Sequence, residues 1–176
     1  SLKPHRRACA TNGSTVASYE RGRPRELTQR YRGTRPLPTK YIEMYNNNRF
    51  VEAHYYLEEA VNVGSQKAMY TYGMKHLNGN SDLGIERNEE EAAKKFICCY
   101  DLYKDPNAAY QLGMMHLMGR GGFSPNKAKA IFLINIAMVK GVAVAIHTIT
   151  NLILSGRITK EYVAEVHGKY TPQNII

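Results

Sequence analysis

Two stretches of this chain, KAMYTYGMKHLNG at positions 67–79 and NAAYQLGMMHLMG at positions 107–119, are versions of one sequence. Ala, Tyr, Gly, Met, His, Leu and Gly recur at matching offsets, 40 residues apart. Repeats of this length are typical of helical solenoids, in which each short unit buries its apolar face by stacking on its neighbours. The sequence therefore predicts an all-α solenoid of antiparallel helix pairs, a fold that usually holds other molecules together.

Small residues recur at the same period in the second helix of each predicted unit. Ala53, Ala93 and Ala130 align at spacings of 40 and 37 residues, and small residues allow neighbouring helices to pack closely. Gly73 and Gly113 also share one offset inside a predicted helix, where glycine costs about 1 kcal/mol relative to alanine. Their recurrence predicts a close approach of another helix at both positions.

Capping residues predict where the helices begin and end. The expected N-caps are Ser65, Asn88, Asp105 and Ser124, and the prolines expected at first helical positions are Pro106 and Pro125. The glycines expected to end helices are Gly64, Gly79, Gly119, Gly141 and Gly156. The predicted helices are 38–46, 49–63, 66–78, 89–103, 106–118, 125–140, 142–155 and 159–168.

A known repeat has the same pattern. The segment AYQLGMMHLMGRGGF at 109–123, followed by Lys-Ala at 129–130, Leu-Ile at 133–134 and AMVKG at 137–141, resembles the Sel-one-like repeat, a relative of the tetratricopeptide (TPR) repeat. Residues 66–104 resemble a second copy. The resemblance implies an α-solenoid with a scaffolding or adaptor role in multiprotein assemblies, and it carries over no catalytic residue.

The resemblance extends over residues 41–155, although the copies are degenerate. Residues 41–64 resemble the later part of one copy, and residues 142–155 resemble the first helix of another. His76 and His116 replace the usual aromatic residue, and Thr150 replaces the helix glycine in the last unit. We interpret both histidines as packing residues, because no carboxylate or cysteine recurs beside them to form a metal or catalytic site.

The chain is predicted to have three parts, and the first of them differs from the others in charge. Residues 1–40 contain ten Lys or Arg and two Glu, a net charge of +8 out of the total of +9. This segment has four prolines and no apolar periodicity, so we expect an extended arm without a fold of its own. Residues 41–156 are predicted to form the solenoid, and residues 157–176 a C-terminal capping helix and tail.

The arm is the strongest functional signal outside the repeats. Guanidinium groups bind phosphates bidentately and stack on bases, so the arm predicts contact with RNA. Acidic protein grooves and anionic lipid headgroups are alternatives, and an organellar targeting sequence has a similar composition. The candidate binding residues are Arg6, Arg7, Arg21, Arg23, Arg25, Arg30, Arg32 and Arg35.

Two other patterns have structural interpretations. Gly-Arg-Gly-Gly at 119–122 follows a predicted helix rather than a strand and lacks the Lys-Ser or Lys-Thr of a phosphate-binding loop, which favours a repeat turn. Three glutamates at 89–91 fall in the first turn of a helix, where the helix dipole favours them, and are expected to be solvated. With no catalytic constellation, metal ligand set or cofactor motif recognised, we expect a protein that is not an enzyme.

The predicted helix 125–140 is apolar nearly all round. Ile131, Phe132 and Ile136 occupy positions that the repeat commonly leaves polar, so the helix must be covered on both sides. We expect these three residues to contact a partner protein; the alternative is that helix 159–168 and the tail fold back over them. Lys140-Gly141 interrupts the apolar stretch 131–154, which argues against a membrane span.

These patterns together predict a structural subunit of a large organellar assembly. The favoured assembly is a mitochondrial ribosome, with the repeats on neighbouring proteins and the arm on rRNA. The alternative is an accessory subunit or assembly factor of a respiratory or ATP-synthase complex. The expected location is the mitochondrial matrix or the matrix face of the inner membrane, with the cytoplasm as an alternative. No cofactor, metal or small-molecule substrate is expected.

Overall fold

A computed structural model describes residues 37–170 of the chain, and this part folds into eight α-helices. No strand occurs among these residues; one isolated bridge joins Asn80 and Ile85 in the connection between the third and fourth helices. The prediction of an all-α fold is confirmed. The helices are α1 Leu37–Asn46, α2 Phe50–Asn62, α3 Gln66–Asn78, α4 Glu89–Tyr103, α5 Pro106–Met118, α6 Lys127–Val139, α7 Ala143–Leu154 and α8 Lys160–Tyr170.

The first six helices form three hairpins, and the last two depart from that arrangement. The most extensive packing is within α1/α2, α3/α4 and α5/α6, and successive hairpins meet through α2 with α3 and α4 with α5. Short connections make each pair antiparallel neighbours. We call α3/α4 the second unit, α5/α6 the third unit and α7/α8 the last unit. In the last unit, α8 packs mainly against α6 rather than against α7.

The N-caps explain where the middle helices begin. Ser65, Asn88 and Asp105 each accept a hydrogen bond from the backbone N–H three residues later, at 3.4, 3.0 and 2.8 Å, as predicted. The prediction of Ser124 as a cap is wrong, because Asn126 caps α6 and accepts from the Lys129 N–H at 2.9 Å. Helix α6 therefore begins two residues later than predicted.

A repeated backbone hydrogen bond accounts for this shift. The Asn126 N–H donates to the His116 carbonyl at 2.9 Å, as the Asn88 N–H donates to the His76 carbonyl at 2.8 Å. In both units the cap residue of the second helix is thus attached to the last turn of the first helix. Pro125 precedes the cap and packs against Gly119, so it belongs to the connection rather than to the helix.

Five helices end at the predicted glycines, whereas α1 and α4 end without one. All five glycines that were predicted to end helices have positive φ, between 65° and 85°, a conformation that glycine adopts without steric cost. Helix α4 instead ends at Lys104, a left-handed residue with φ of 52°. The sequence contained no glycine signal there, and the end of α4 was inferred from Asp105 and Pro106 beyond it.

Helix α6 lies between two hydrophobic cores. It contributes Leu133 to a core built mainly from α1 to α5, and Ile131 and Ile134 to a second core that also contains Ile149 of α7 and Val166 of α8. Because burial of apolar surface drives packing on every side that carries it, a helix that is apolar all round needs both cores. The sequence-based expectation that α6 is covered on two sides is confirmed.

Both mid-helix glycines allow a second helix to come close. A Cβ atom at Gly73 would lie 2.8 Å from the Phe96 ring, and one at Gly113 would lie 2.6 Å from Cγ1 of Ile134. Both distances are far below van der Waals contact, so any side chain would push the helices of the unit apart. The predicted close approach is confirmed in the second and third units.

Candidate protein-interaction site

The basic arm lies outside the residues that the structure describes. Its role in binding RNA or an acidic partner therefore stays a prediction from composition and charge. The candidate residues in question are Arg6, Arg7, Arg21, Arg23, Arg25, Arg30, Arg32 and Arg35.

The predicted interface on α6 is largely internal. Ile131 is completely buried in the second core, so its prediction as a partner contact is wrong. Phe132 and Ile136 are half-buried, and the Phe132 ring lies 6.1 Å from the His167 ring of α8. Asn135 is also buried and pairs with His167 across 3.0 Å. The helix part of the alternative is confirmed, because α8 folds back over α6; the tail lies outside the described residues.

The two repeated histidines occupy equivalent packed positions. The His76 ring lies 4.6 Å from the Tyr72 ring, and the His116 ring stacks on Phe123 at 4.1 Å. Burial lowers the pKa of both histidines below its usual value of 6.5, because desolvation disfavours the charged imidazolium. Their surroundings support a packing role.

The Gly-Arg-Gly-Gly segment is a repeat turn that docks on α4. Arg120 donates to Glu89 from Nε at 2.9 Å and makes a second hydrogen bond from its terminal nitrogen. Hydrogen bonds from Arg120 and Arg87 lower the pKa of Glu89 to about 2. A Cβ at Gly121 would lie 2.9 Å from the Glu89 carbonyl oxygen. The turn therefore attaches the third unit to the second, and Glu89 is ion-paired rather than simply solvated.

A buried lysine is the polar feature that the sequence reasoning missed. Lys95 is only 4% exposed, pairs with Glu91 at 3.2 Å, and lies 5.7 Å from the centre of the Tyr72 ring. The Tyr72 hydroxyl donates to Glu58 at 3.2 Å, which extends the cluster to α2. The spacing of four places Glu91 and Lys95 on one helix face, but the hydropathy of α4 does not show that this face is internal.

The described part of the chain contains neither a metal cluster nor a spanning helix. Within residues 37–170, no three His, Cys, Asp or Glu side chains are grouped to hold a metal ion. No helix in the same range has the length and apolar character needed to cross a bilayer.

The clearest candidate for protein interaction is an exposed apolar strip on α7. Thr150 stands where the third unit has Gly113, and Ile146 stands where it has Ala109, each 37 residues later. Ala109 is completely buried beside the second helix of its unit, whereas Ile146 is 43% exposed. Because α8 packs on α6, it does not cover this strip. We call it the open face of α7, formed by Ala143, Ile146, Thr150 and Leu154.

The repeat and the paired helices define an α-solenoid that resembles the Sel1-like type. A comparison with solved structures supports this class: the chain is similar to a Sel1 repeat protein from Oxalobacter formigenes, with a TM-score of 0.58 and 21% sequence identity. The similarity covers 76% of this chain and 56% of that protein, so the chain spans little more than half of its length. At this identity the similarity establishes the fold alone.

Two further comparisons found nothing. No family model matches the sequence, and no curated protein matches it. The similarity to a solved structure confirms, at the level of the three-dimensional fold, the resemblance to the Sel-one-like repeat that degenerate motifs indicated.

Proposed function

We propose that this protein is a non-catalytic scaffold that binds a protein partner through the open face of α7. One observation supports the proposal. The face of the first helix that the second helix covers in the second and third units is exposed in the last unit. Solenoids that end on an apolar surface need a polar cap or a partner. An amphipathic helix of another subunit, lying further from α7 than α6 lies from α5 because Thr150 replaces the glycine, would supply the missing cover.

The exposed residues give the site a substantial driving force. Leu154 is 80% exposed and Ile146 is 43% exposed, and full burial of such a side chain contributes about 1.5–3 kcal/mol. Helix α7 has no charged residue, so a partner would not need to desolvate a charge on this helix. Contiguous apolar surface of this kind is typical of protein-interaction sites.

A charge placed on the open face tests this proposal. A tagged Ile146→Glu/Leu154→Glu variant would be expressed in the native host, and the particle containing it would be analysed by native mass spectrometry. We expect the double variant to lose its protein partners while its circular dichroism stays unchanged. Val63→Glu is the matched control, because Val63 is 68% exposed at the end of α2. Retention of every partner by the double variant would refute the proposed site.

The more specific proposal is that the assembly is a mitochondrial ribosome, with the arm on rRNA. The charge of +8 within residues 1–40 supports it, because such a segment can neutralise the phosphates of rRNA. Binding of this kind weakens steeply as the salt concentration increases. Replacing the eight arm arginines by Gln should abolish incorporation into an RNA-containing particle, measured by absorbance ratio and mass spectrometry. Retention in an RNA-free membrane complex, insensitive to salt through detergent extraction, would instead favour a respiratory or ATP-synthase complex.

A further inference from the structure

A groove of about 560 Å³ opens between α5, the beginning of α6 and the connection from α7 to α8. It involves residues of the third and last units, and most of its lining is apolar. The groove is separate from the open face of α7, because no residue of that face lines it. The side chains that form its floor and walls are Met114, Leu117, Met118, Ile131, Leu152 and Ile158.

One wall of this groove is adaptable. Met114 is half-buried and Met118 is 48% exposed. Methionine is unbranched and polarisable, so it adjusts to differently shaped apolar groups and is common at peptide-binding surfaces. Ile131 is rigidly packed beneath them in the second core. The groove therefore combines a fixed base with a flexible wall, as a site for apolar side chains of a partner would.

The charged side chains that line the groove are all basic. They are Lys127 and Arg157. Lys127 Nζ donates to the carbonyl oxygen of Arg157 at 2.7 Å, which holds the ammonium group against the connection between α7 and α8. The Arg157 residue is exposed. No acidic side chain lines the groove to neutralise the two cations, so its electrostatic complement is a ligand with negative charge.

The surrounding sequence has the same sign. Residues 127–176 contain six Lys or Arg and two Glu, a net charge of +4, whereas residues 41–126 contain eight Lys or Arg and eleven Asp or Glu, a net charge of −3. The charge of the groove thus belongs to a basic C-terminal end beside an acidic body. This asymmetry would steer an acidic segment towards the groove and away from the rest of the solenoid.

We propose that this groove binds an acidic peptide segment of a partner protein. Apolar side chains of the segment pack on Met114 and Met118, and a carboxylate of the segment pairs with Lys127 and Arg157. The inference rests on the proposed scaffold function, but it assigns a second surface and the chemistry of its ligand.

A random library of 16-residue peptides displayed on phage, selected against the purified full chain, tests this proposal. We expect the enriched peptides to combine Asp or Glu with Leu, Ile, Met or Phe. The most enriched peptide is then synthesised with a fluorescent label, and its affinity is measured by anisotropy. Met118→Gln/Arg157→Gln should weaken binding at least tenfold, and higher salt should weaken binding to the unmodified protein.

The matched control lies at the C-terminal end of α6, away from the groove. Val139→Gln/Lys140→Gln also replaces one exposed apolar residue and one exposed basic residue, but neither lines the groove, so affinity should be unchanged. Absence of enrichment, enrichment of peptides without acidic residues, or equal binding to both double variants would overturn the proposal. Vesicles containing anionic lipid are a further probe: binding to them that the groove variant loses, without an enriched peptide, would assign the groove to lipid.

Failure of this proposal can be told apart from failure of the proposed scaffold function. If no peptide binds the groove but Ile146→Glu/Leu154→Glu still releases the native partners, the open face of α7 remains a docking site and only the groove is excluded. If a peptide binds the groove but the open-face variant keeps its partners, the scaffold attaches through the groove instead.

Discussion

The third and last units begin with equivalent helices but are completed differently. In the third unit, Gly113 leaves room for Ile134, and α6 packs closely along α5. In the last unit the equivalent residue is Thr150, whose side chain would obstruct a helix approaching at that distance. Helix α8 packs on α6 instead, and the open face of α7 is left exposed. The two units thus differ both in the residue at this position and in whether a second helix covers the first.

The two units also differ at their helix starts. Asp105 caps α5 through its side chain and accepts a second hydrogen bond from Gln66 at 2.7 Å, which connects α5 to α3. Val142 precedes α7 and provides no side-chain cap. The third unit is thus stabilised by local and tertiary contacts together, whereas α7 depends more on the packing of Ala145 and Ile149 in the second core.

Gly113→Thr should have the largest effect, because it places the residue of the last unit in the third unit. A Cβ there would lie 2.6 Å from Ile134 and 3.0 Å from the Ala130 carbonyl oxygen, so we expect a loss of about 3 kcal/mol in the free energy of unfolding. Urea denaturation followed by circular dichroism measures it. The control, Thr150→Ala, should gain a few tenths of a kcal/mol from helix propensity, about 0.5 at most. Equal effects of the two substitutions would show that the helix spacing does not depend on this position.

Asp105→Ala should have an intermediate effect. It removes the cap of α5 and leaves Gln66 without its carboxylate partner, which should lower the free energy of unfolding by about 1–2 kcal/mol. Asp105→Asn keeps a capping oxygen and should lose less than half of that amount. In the last unit, Val142→Thr adds a capping hydroxyl at similar volume and should gain about 0.5 kcal/mol. A destabilised Val142→Thr variant would mean that the methyl packing of Val142 outweighs the missing cap.

The smallest effect should be a pH dependence specific to the second and third units. Burial lowers the pKa of His76 and His116, so the unfolded chain binds more protons than the folded chain once the pH falls below about 6.5. The stability from these groups is complete above that pH and is lost as the pH falls through their folded-state pKa values. The last unit has Ile153 at this position.

Urea midpoints at pH 7.5 and 5.5 measure this dependence, above the range in which carboxylates protonate. The midpoint of the unmodified protein should fall on acidification, and it should fall less in the His76→Phe/His116→Phe variant. His147→Phe serves as a histidine control outside the two repeated positions, because His147 is exposed on α7. If the double variant and the unmodified protein respond alike, the repeated histidines are not the groups that titrate.

Much of the fold could be predicted because its signals are local. Helices α3, α4 and α5 begin and end at the predicted residues, since caps, glycines and the repeat act within a few positions of the backbone. The start of α6 was missed because Ser124, Pro125 and Asn126 offer competing signals, and a hydrogen bond to the previous helix decides among them. Burial of Lys95 was missed because its position on α4 does not reveal which neighbour covers it.

The candidate site could be predicted only in outline. The unusual apolar character of α6 was recognised, but the surface was placed on Ile131, Phe132 and Ile136, of which Ile131 is internal and the other two are half-buried. The exposed apolar surface lies one helix further along, on α7. The departure of Thr150 from the repeat pattern was visible in the sequence, and its steric meaning became clear only beside the contact of Gly113 with Ile134.

By itself, the sequence determined the period of the repeat, the boundaries of α3, α4 and α5 and the glycines that allow close packing, because short-range sterics and hydrogen bonding control each of them. Only the tertiary structure decided that α8 covers α6 and leaves α7 exposed. The hydrophobic effect has no direction: an apolar surface must find cover, but its residues do not specify which helix provides it. That choice depends on the shape of the neighbouring surfaces, and here it separates the closed units from the open one.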